Sequence, residues 1–272
     1  MFIDSHSHTK HFSGDGRMDI SELISGSLAA SLQAIVITEH FDDDYPHDVD
    51  TPMACDIDAY FESFQKWKAK APASLELRFG IELGYQRGLV QRYNDIVHRF
   101  PFDSIIMSSH LIYGLDPYLY RDCYDQGAKE VFTRYINDLI EIASGESNFD
   151  ILGHYDYIGR YAPYKDCKMY YDICPDEFDT LFTALIQTNR SLEINTRSIS
   201  KLISQGHSNP MPDDRVLLRY KDLGGTLITL GSDAHTSDGI GLHFNETRDY
   251  LRSLGFAVAT VFKERKPQTI SL

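Results

Sequence analysis

The chain has 272 residues, of which 42% are apolar and 12% aromatic, and its formal net charge at pH 7 is −14. This apolar content is enough to bury a large core, which excludes an intrinsically disordered chain. The sequence has no apolar run of about eighteen residues, the length that a membrane span needs. A strongly acidic chain without a basic groove also repels nucleic-acid phosphates. Composition therefore favours a small substrate over nucleic acid or a membrane.

The four cysteines lie far apart and form no CxxC pair; they are Cys55, Cys123, Cys167 and Cys174. In a chain of this length, such spacing is typical of reduced thiols rather than of a disulfide framework. The N-terminal segment MFIDSHSHTK lacks the basic-then-apolar layout of a secretory signal. Both features predict a cytoplasmic protein.

Short β-rich apolar segments alternate with longer segments of helical spacing along the whole chain. The predicted strands are residues 2–8, 34–40, 77–83, 104–109, 151–154, 191–196 and 226–232, with a possible eighth at 256–262. The predicted helices are residues 19–32, 58–71, 128–143, 176–188, 213–223 and 245–254, the first opening with a capping box between Asp19 and Glu22. This alternation predicts a single α/β domain, residues 1–272, whose parallel sheet closes into a TIM-like barrel. A doubly wound open sheet is the alternative.

Polar and ionisable residues follow the apolar part of every predicted strand. In chain order they stand in His6-Ser7-His8, Thr38-Glu39-His40, Gly80-Ile81-Glu82, Ser108-Ser109-His110, Gly153-His154, Glu193-Ile194-Asn195-Thr196-Arg197 and Asp233-Ala234-His235. The carboxyl ends of barrel strands meet at one rim, and side chains two residues apart on a strand, such as those of His6 and His8, point the same way. The pattern therefore predicts one shared site at that rim.

A metal centre is the simplest way to accommodate these residues together. Burying so many ionisable groups in one place would cost several kcal/mol each through desolvation and repulsion. Imidazoles and carboxylates are ordinary ligands of zinc, iron and manganese, so bound cations remove the conflict.

These motifs resemble those of the PHP (polymerase and histidinol phosphatase) superfamily of metallo-phosphoesterases. In order, the shared motifs are D-S-H-S-H-T, F-S-G-D-G, T-E-H, G-I-E-L-G, S-S-H, G-H-Y-D and G-S-D-A-H, which span residues 4–235. Within the superfamily, the chain length, F-S-G-D-G and I-N-T-R-S resemble the histidinol-phosphate phosphatase branch.

The resemblance implies a distorted (β/α)7 barrel that holds three divalent metal ions, which would be zinc, manganese or iron. By position, the first metal is expected on His6, His8, Glu82 and Asp233. The second shares Glu82 and adds His110 and His154, and the third takes Asp15, His40 and His235. Many superfamily members have histidine where Asp15 stands, so the metal preference at the third position is expected to differ here.

The implied reaction is hydrolysis of L-histidinol phosphate, a step of histidine biosynthesis, by a hydroxide that bridges two metals. Arg197, which closely follows the sixth strand, and Arg160, which follows His154, are the expected phosphate-binding residues because a planar guanidinium matches phosphate geometry. The leaving alkoxide needs a proton, and a metal-bound water, Asp233 or His235 could supply it; the sequence leaves this choice open.

Other polar and aromatic residues are assigned no role in the centre. The run Asp42–Asp43–Asp44 could meet the substrate ammonium but is more typical of a solvated loop. Loop positions that could line the mouth of the site hold Tyr118, Tyr161 and His207, but packing or solvent-facing positions are expected for them. Positions outside the site are expected for His11, His47, His98 and His243.

Three other functions fit parts of the pattern. PHP relatives also act on nucleotides, nucleic-acid ends or phosphotyrosine, but a nuclease needs a basic groove with stacking aromatics. A metal-dependent amidohydrolase also starts with HxH in a barrel, but it fits G-I-E-L-G and Asp-Ala-His poorly. A degenerate, non-enzymatic module should have lost ligands, whereas competent residues stand at all nine expected positions.

Overall fold

The computed structural model describes residues 2–46 and 52–272. Its main sheet has seven parallel strands that pair in sequence order. They are β1 (Phe2–Asp4), β2 (Leu32–Phe41), β3 (Glu76–Gly84), β4 (Ser104–Ser108), β5 (Ile151–Leu152), β6 (Ser191–Asn195) and β7 (Ile228–Gly231).

The first and last strands of this sheet meet and close it. The Ser5 amide donates to the Leu230 carbonyl at 3.0 Å, the Asp233 amide to that of His6 at 2.8 Å, and the His8 amide to that of Ala234 at 2.9 Å. These bonds continue the pairing beyond the ends of β1 and β7. The seven-stranded barrel that the sequence predicts is thereby confirmed, and the open doubly wound alternative is wrong.

Helices flank the barrel between its strands. Within the described residues they are α1 (Ile20–Ala29), α2 (Ile57–Lys70), α3 (Val90–Arg99), α4 (Ala128–Ser144), α5 (Pro175–Gln187), α6 (Thr196–Ser204), α7 (Asp214–Asp222) and α8 (Phe244–Ser253). The capping box at the start of α1 is confirmed, since Asp19 accepts from the Glu22 amide and Glu22 accepts from the Asp19 amide. None of the described helices combines the length and apolarity that crossing a bilayer requires.

One helix prediction and one strand prediction need correction. The first helix was expected to reach residue 32, but it ends at Ala29; Ser31 has a φ of +56° and Leu32 already belongs to β2. The sixth strand was expected to include Thr196, which instead begins α6, because the Asn195 side chain caps that helix by accepting from the Arg197 amide. Neither α3 nor α6 was predicted.

The strands are apolar along most of their length because both faces of the sheet are covered. Ile35, Ile37, Leu77 and Ile81 are buried completely or almost so, and the ring of Phe79 stacks on Phe102 with centroids 4.6 Å apart. Each such side chain contributes roughly 1.5–3 kcal/mol of burial free energy. This packing gives the rim residues a rigid base.

A C-terminal hairpin closes the end of the barrel opposite the polar rim. Strands β8 (Val258–Lys263) and β9 (Lys266–Ser271) pair antiparallel, so the possible eighth barrel strand is wrong. Their two-residue turn, Glu264–Arg265, has φ values of +50° and +61°, as tight hairpin turns require. Arg78 at the start of β3 donates to the Phe262 carbonyl at 2.9 Å, and Asp103 before β4 accepts from the Glu264 amide at 3.1 Å.

Candidate metal centre

The nine residues expected to bind metal lie together at the carboxyl ends of the strands. His6 and His8 follow β1, His40 and Glu82 belong to β2 and β3, and the remaining five occupy the connections after β1, β4, β5 and β7: Asp15, His110, His154, Asp233 and His235. Eight of the nine are buried, and only the Asp15 side chain, 53% exposed, reaches solvent.

Glu82 stands at the middle of this cluster, and its two carboxylate oxygens face different imidazoles. Oε1 lies 2.9 Å from His154 Nε2 and 3.2 Å from His110 Nε2. Oε2 lies near three other rings, 2.9 Å from His40 Nδ1, 3.2 Å from His6 Nε2 and 3.5 Å from His8 Nε2. A carboxylate placed in this way can offer one oxygen to each of two neighbouring cations.

Asp233 lies next to the first two histidines. Its Oδ1 is 3.4 Å from His8 Nε2 and 3.9 Å from His6 Nε2. Its backbone has a φ of +52°, a left-handed conformation that is unfavourable for residues other than glycine, and the bond from its amide to the His6 carbonyl holds it there. The closing contact of the barrel therefore also aims this carboxylate into the centre.

Asp15 and His235 form a third group with His40. The Asp15 carboxylate lies 2.8 Å from His235 Nε2 and 3.4 Å from His40 Nε2. The ring of His8 also contacts this third group. It stacks on His40 with ring centroids 4.1 Å apart, and it is tilted against His235 with centroids 4.5 Å apart. The three groups are thus contiguous rather than separate sites.

Within the described residues, several buried polar atoms of the centre find no hydrogen-bond partner in acceptable geometry. They include Nε2 of His6 and of His8, Nδ1 of His40 and Oε2 of Glu82. Leaving such an atom unsatisfied costs about 1–3 kcal/mol, and more when it carries charge. Among the residues that the structure describes, ligand atoms of the centre converge in four buried triads, which are His6–Glu82–His154, His6–His8–Asp233, His8–His40–His235 and His40–Asp42–His110. Nitrogen and carboxylate donors so arranged fit several divalent transition-metal ions.

Mutual electrostatics set the charges in this cluster. Burial opposes charge on His6, but Glu82, Glu193 and Asp233 outweigh it and raise the His6 pKa well above its usual value. Burial, together with the positive fields of His40 and His235, lowers the pKa of His8 well below its usual value. Burial also opposes charge on Glu82, yet the surrounding histidines keep its pKa well below normal. The pKa values of adjacent imidazoles are thus shifted in opposite directions.

Two carboxylates that sequence reasoning did not assign to the centre orient its histidines. Glu193 Oε1 lies 2.7 Å from His6 Nδ1, and its Oε2 accepts from the His154 amide at 2.6 Å. Asp42 Oδ1 lies 2.6 Å from His110 Nδ1. The contacts to His6 and His110 engage Nδ1 and leave Nε2 directed at the centre, an arrangement that orients metal-binding histidines. Asp42 is only 5% exposed, so the solvated-loop interpretation is wrong for this residue.

A third buried carboxylate organises the loop that carries Asp15. Glu39, fully buried, accepts from the Thr9 amide at 3.1 Å and from the Ser13 hydroxyl at 2.6 Å. The same hydroxyl oxygen accepts from the His40 amide at 3.0 Å. Burial raises the pKa of Glu39 to about 7 despite these bonds. Glu39 therefore connects the loop after β1 to the end of β2.

Replacing Asp42 by asparagine should weaken metal binding about 10- to 100-fold, because the amide loses the charge that holds His110 Nδ1 as a donor. Competition with a chromophoric chelator would measure the affinity. Asp44→Asn is the matched control, since Asp44 lies two residues away in the same acidic run but is exposed. Equal affinity in the two variants would show that Asp42 does not support the centre.

Both predicted phosphate-binding arginines lie beside Asp233. Arg160 is buried; its Nη1 donates to Asp233 Oδ2 at 2.7 Å and its Nε to Ser198 Oγ at 2.8 Å, while its Nη2 makes no hydrogen bond. Arg197 is partly exposed, and its Nη1 lies 3.2 Å from Asp233 Oδ1. The two guanidinium groups therefore border the same side of the centre.

The other histidines lie elsewhere, where the structure describes them. His11 packs against Trp67, His98 bonds to the Asn94 carbonyl and His207 lies 3.4 Å from Cys167 Sγ. His243 immediately precedes α8. His47 lies outside the described residues. Tyr161 lies nearer the centre than its predicted role as a packing residue implies, because it packs on Tyr157, whose ring contacts His154 and His110.

Comparison with known proteins places this barrel and its histidine-rich rim in an established group. Residues 4–197 match the family model described as PHP domain, and the chain belongs to that family.

Its relatives include a probable histidinol-phosphatase of Clostridium acetobutylicum, 35% identical over 244 residues with 90% of each chain covered. The histidinol-phosphatase of Lactococcus lactis is 28% identical, with 97% of this chain and 95% of the relative covered. The crystal structure of the histidinol phosphate phosphatase of Lactococcus lactis, in complex with zinc, L-histidinol and phosphate, aligns with a TM-score of 0.86 over 98% of both chains at 26% identity.

Proposed function

We propose that this chain is a metal-dependent phosphomonoesterase that hydrolyses L-histidinol phosphate to L-histidinol and phosphate. The observation that carries the proposal is the position of Glu82, whose two oxygens divide a buried group of five imidazoles into two adjoining sets. The relatives named histidinol-phosphatase align over nearly the full chain, and the Lactococcus lactis structure contains both reaction products together with zinc.

The proposal assigns three divalent ions to the centre. The first would be held by His6, His8, Glu82 and Asp233, the second by Glu82, His110 and His154, and the third by Asp15, His40 and His235. Zinc, manganese and iron all suit these donors. When bound, such ions supply positive charge that neutralises the phosphate and activates water for attack.

Arg160 and Arg197 are the proposed phosphate-binding residues. Bonds to Asp233 and Ser198 hold the Arg160 guanidinium, and its Nη2, which bonds to no described residue, is a donor that a phosphoryl oxygen could satisfy. Arg197 is the more exposed of the two arginines, and it can keep a charge-assisted hydrogen bond to the phosphate during the reaction. Together they can hold the phosphoryl group in one orientation.

Asp233 and His235 are the other proposed catalytic residues. Although burial opposes its charge, Arg197, Arg160 and His6 hold the pKa of Asp233 well below its usual range, so this carboxylate is ionised at neutral pH and has no proton to give to a leaving group. His235 Nδ1 lies 2.8 Å from the Asp233 carbonyl and 2.5 Å from Arg197 Nη1, which leaves Nε2 on the side of Asp15. We therefore propose that Asp233 accepts a hydrogen bond from the attacking water, that His235 positions Arg197 against the phosphate, and that a water molecule protonates the leaving alkoxide.

The proposal also covers the compartment, the domain organisation and the substrate class of the protein. We place the chain in the cytoplasm as a single domain over residues 1–272, acting on a small phosphorylated substrate rather than on nucleic acid or a membrane. The four cysteines are all buried and unpaired, as expected for a reducing compartment.

A substrate panel tests the function. Protein loaded with manganese or zinc should hydrolyse histidinol phosphate with a kcat/KM at least about 100-fold above those for a nucleoside monophosphate and a phosphotyrosine peptide, because only its own substrate fills the pocket. Single-stranded DNA should not be cut. Preference for the nucleotide or for DNA would refute the proposed substrate but would not contradict the proposed metal centre.

A further inference from the structure

Two cations outside the metal centre lie near the same tyrosine ring. Lys201 belongs to α6, one turn after Arg197, and its Nζ lies 5.6 Å from the centroid of Tyr161. Arg121 begins a short 3₁₀ helix, Arg121–Tyr124, and its guanidinium carbon lies 6.0 Å from the same centroid. Arg121 also donates to the Tyr161 carbonyl, which fixes it there.

These two cations are not balanced by the protein. Arg160 and Arg197 both contact Asp233, but across residues 2–46 and 52–272 neither Arg121 nor Lys201 has a carboxylate within 4.0 Å. Burial, and then the positive charges of Arg197, Arg160 and Arg121, lower the pKa of Lys201. In a chain with 40 acidic and 26 basic residues, two cations that share one ring and have no carboxylate beside them indicate an anion from outside.

A chain of ring contacts connects this pair to the metal centre. Tyr161 meets Tyr157 at 5.4 Å between centroids, and Tyr157 in turn meets His154 at 5.0 Å. On its other side Tyr161 meets Tyr118 at 5.4 Å, and Tyr118 is 61% exposed. Tyr161 therefore stands between solvent and the centre.

We propose that Arg121 and Lys201 form an outer anion-binding site that captures the phosphate dianion of an incoming monoester and delivers it to Arg197 and Arg160. Lys201 and Arg197 are four residues apart on one helix, so their side chains are neighbours and the phosphate passes from one to the other over a short distance. The overall charge of the chain repels a dianion, and a local pair of cations at the entrance reverses that field. The inference rests on the proposed phosphomonoesterase function.

The test compares two double variants of the metal-loaded protein. In R121Q/K201Q the outer site loses both charges. The control, K66Q/K70Q, removes two exposed lysines of α2 for which the described residues show no ion pair, so the net charge changes equally. Calorimetry with inorganic phosphate measures binding, and p-nitrophenyl phosphate and histidinol phosphate report kcat and KM.

At about 10 mM ionic strength, where the Debye length is about 30 Å, R121Q/K201Q should weaken phosphate binding and lower kcat/KM about 10-fold. The loss should fall on KM rather than kcat, and it should shrink at about 1 M salt, where the Debye length is about 3 Å. The control should behave as the unmodified protein.

Two results would overturn the outer site: equal effects of the two double variants, or a fall in kcat as large as that in kcat/KM. Inability to hydrolyse histidinol phosphate would refute the proposed substrate alone, because phosphate calorimetry and p-nitrophenyl phosphate still report on Arg121 and Lys201. Failure of the outer site would leave turnover of histidinol phosphate by the unmodified protein intact.

Discussion

Replacing Glu82 by glutamine should reduce kcat for the phosphomonoester at least about 1000-fold while leaving the barrel folded, because a group that organises the charge of the reacting centre is lost. The amide has nearly the same shape as the carboxylate, so packing around it is preserved. The amide carries no charge, however. It also places an NH₂ group where the unmodified protein has a carboxylate oxygen beside the imidazoles. Two neighbouring cations can no longer share it.

Three measurements separate this role from a structural one. Elemental analysis should find less bound metal in Glu82→Gln, circular dichroism should be unchanged, and kcat should fall. Glu62→Gln is the matched control, since Glu62 is exposed on α2 and the substitution is chemically identical. Normal turnover and metal content in Glu82→Gln would reject the position assigned to this residue.

Removing the metals should abolish hydrolysis and make the protein less stable. Ligand binding at about 1000 times its dissociation constant contributes about 4 kcal/mol, which for a chain of this size corresponds to a fall in Tm of about 10 °C. The fall is expected because the buried nitrogen and oxygen atoms of His6, His8 and Glu82 are left without partners. Differential scanning calorimetry before and after treatment with a chelator measures it.

The chelator itself needs a control. Chelator already saturated with zinc should change neither activity nor Tm, and adding zinc or manganese back to the stripped protein should restore both. Because a ligating histidine must be neutral, restoration should require more metal at pH 6 than at pH 8. Full activity in protein that elemental analysis shows to be free of transition metals would end the metal-dependent account.

The barrel and the location of its site could be predicted because they depend on periodic features. Strands buried on both faces are recognisable as short apolar runs, and parallel pairing brings whatever follows them to one rim. His6, His8, His40 and Glu82 could be placed together on this basis alone. No knowledge of side-chain conformation was needed.

Other features depend on geometry that periodicity does not encode. Residues 256–262 have the composition of a barrel strand, and only the turn at Glu264–Arg265 diverts them into a hairpin beneath the barrel. Asp42 looked like part of a solvated loop because two more aspartates follow it, whereas its carboxylate contacts His110. Glu193 did carry a signal, since it lies two residues before Asn195 on a fully buried strand.

The closing seam of the barrel has a consequence for biosynthesis. His6 leaves the ribosome more than two hundred residues before Asp233, whose amide bonds to the His6 carbonyl. Contacts so distant in sequence form slowly, and nascent chains fold from their N-terminus onward. During translation His6 and His8 therefore remain without their partners beyond the end of β7 until that last parallel strand has been made. Cations bound before then can be held by only part of their final set of donors.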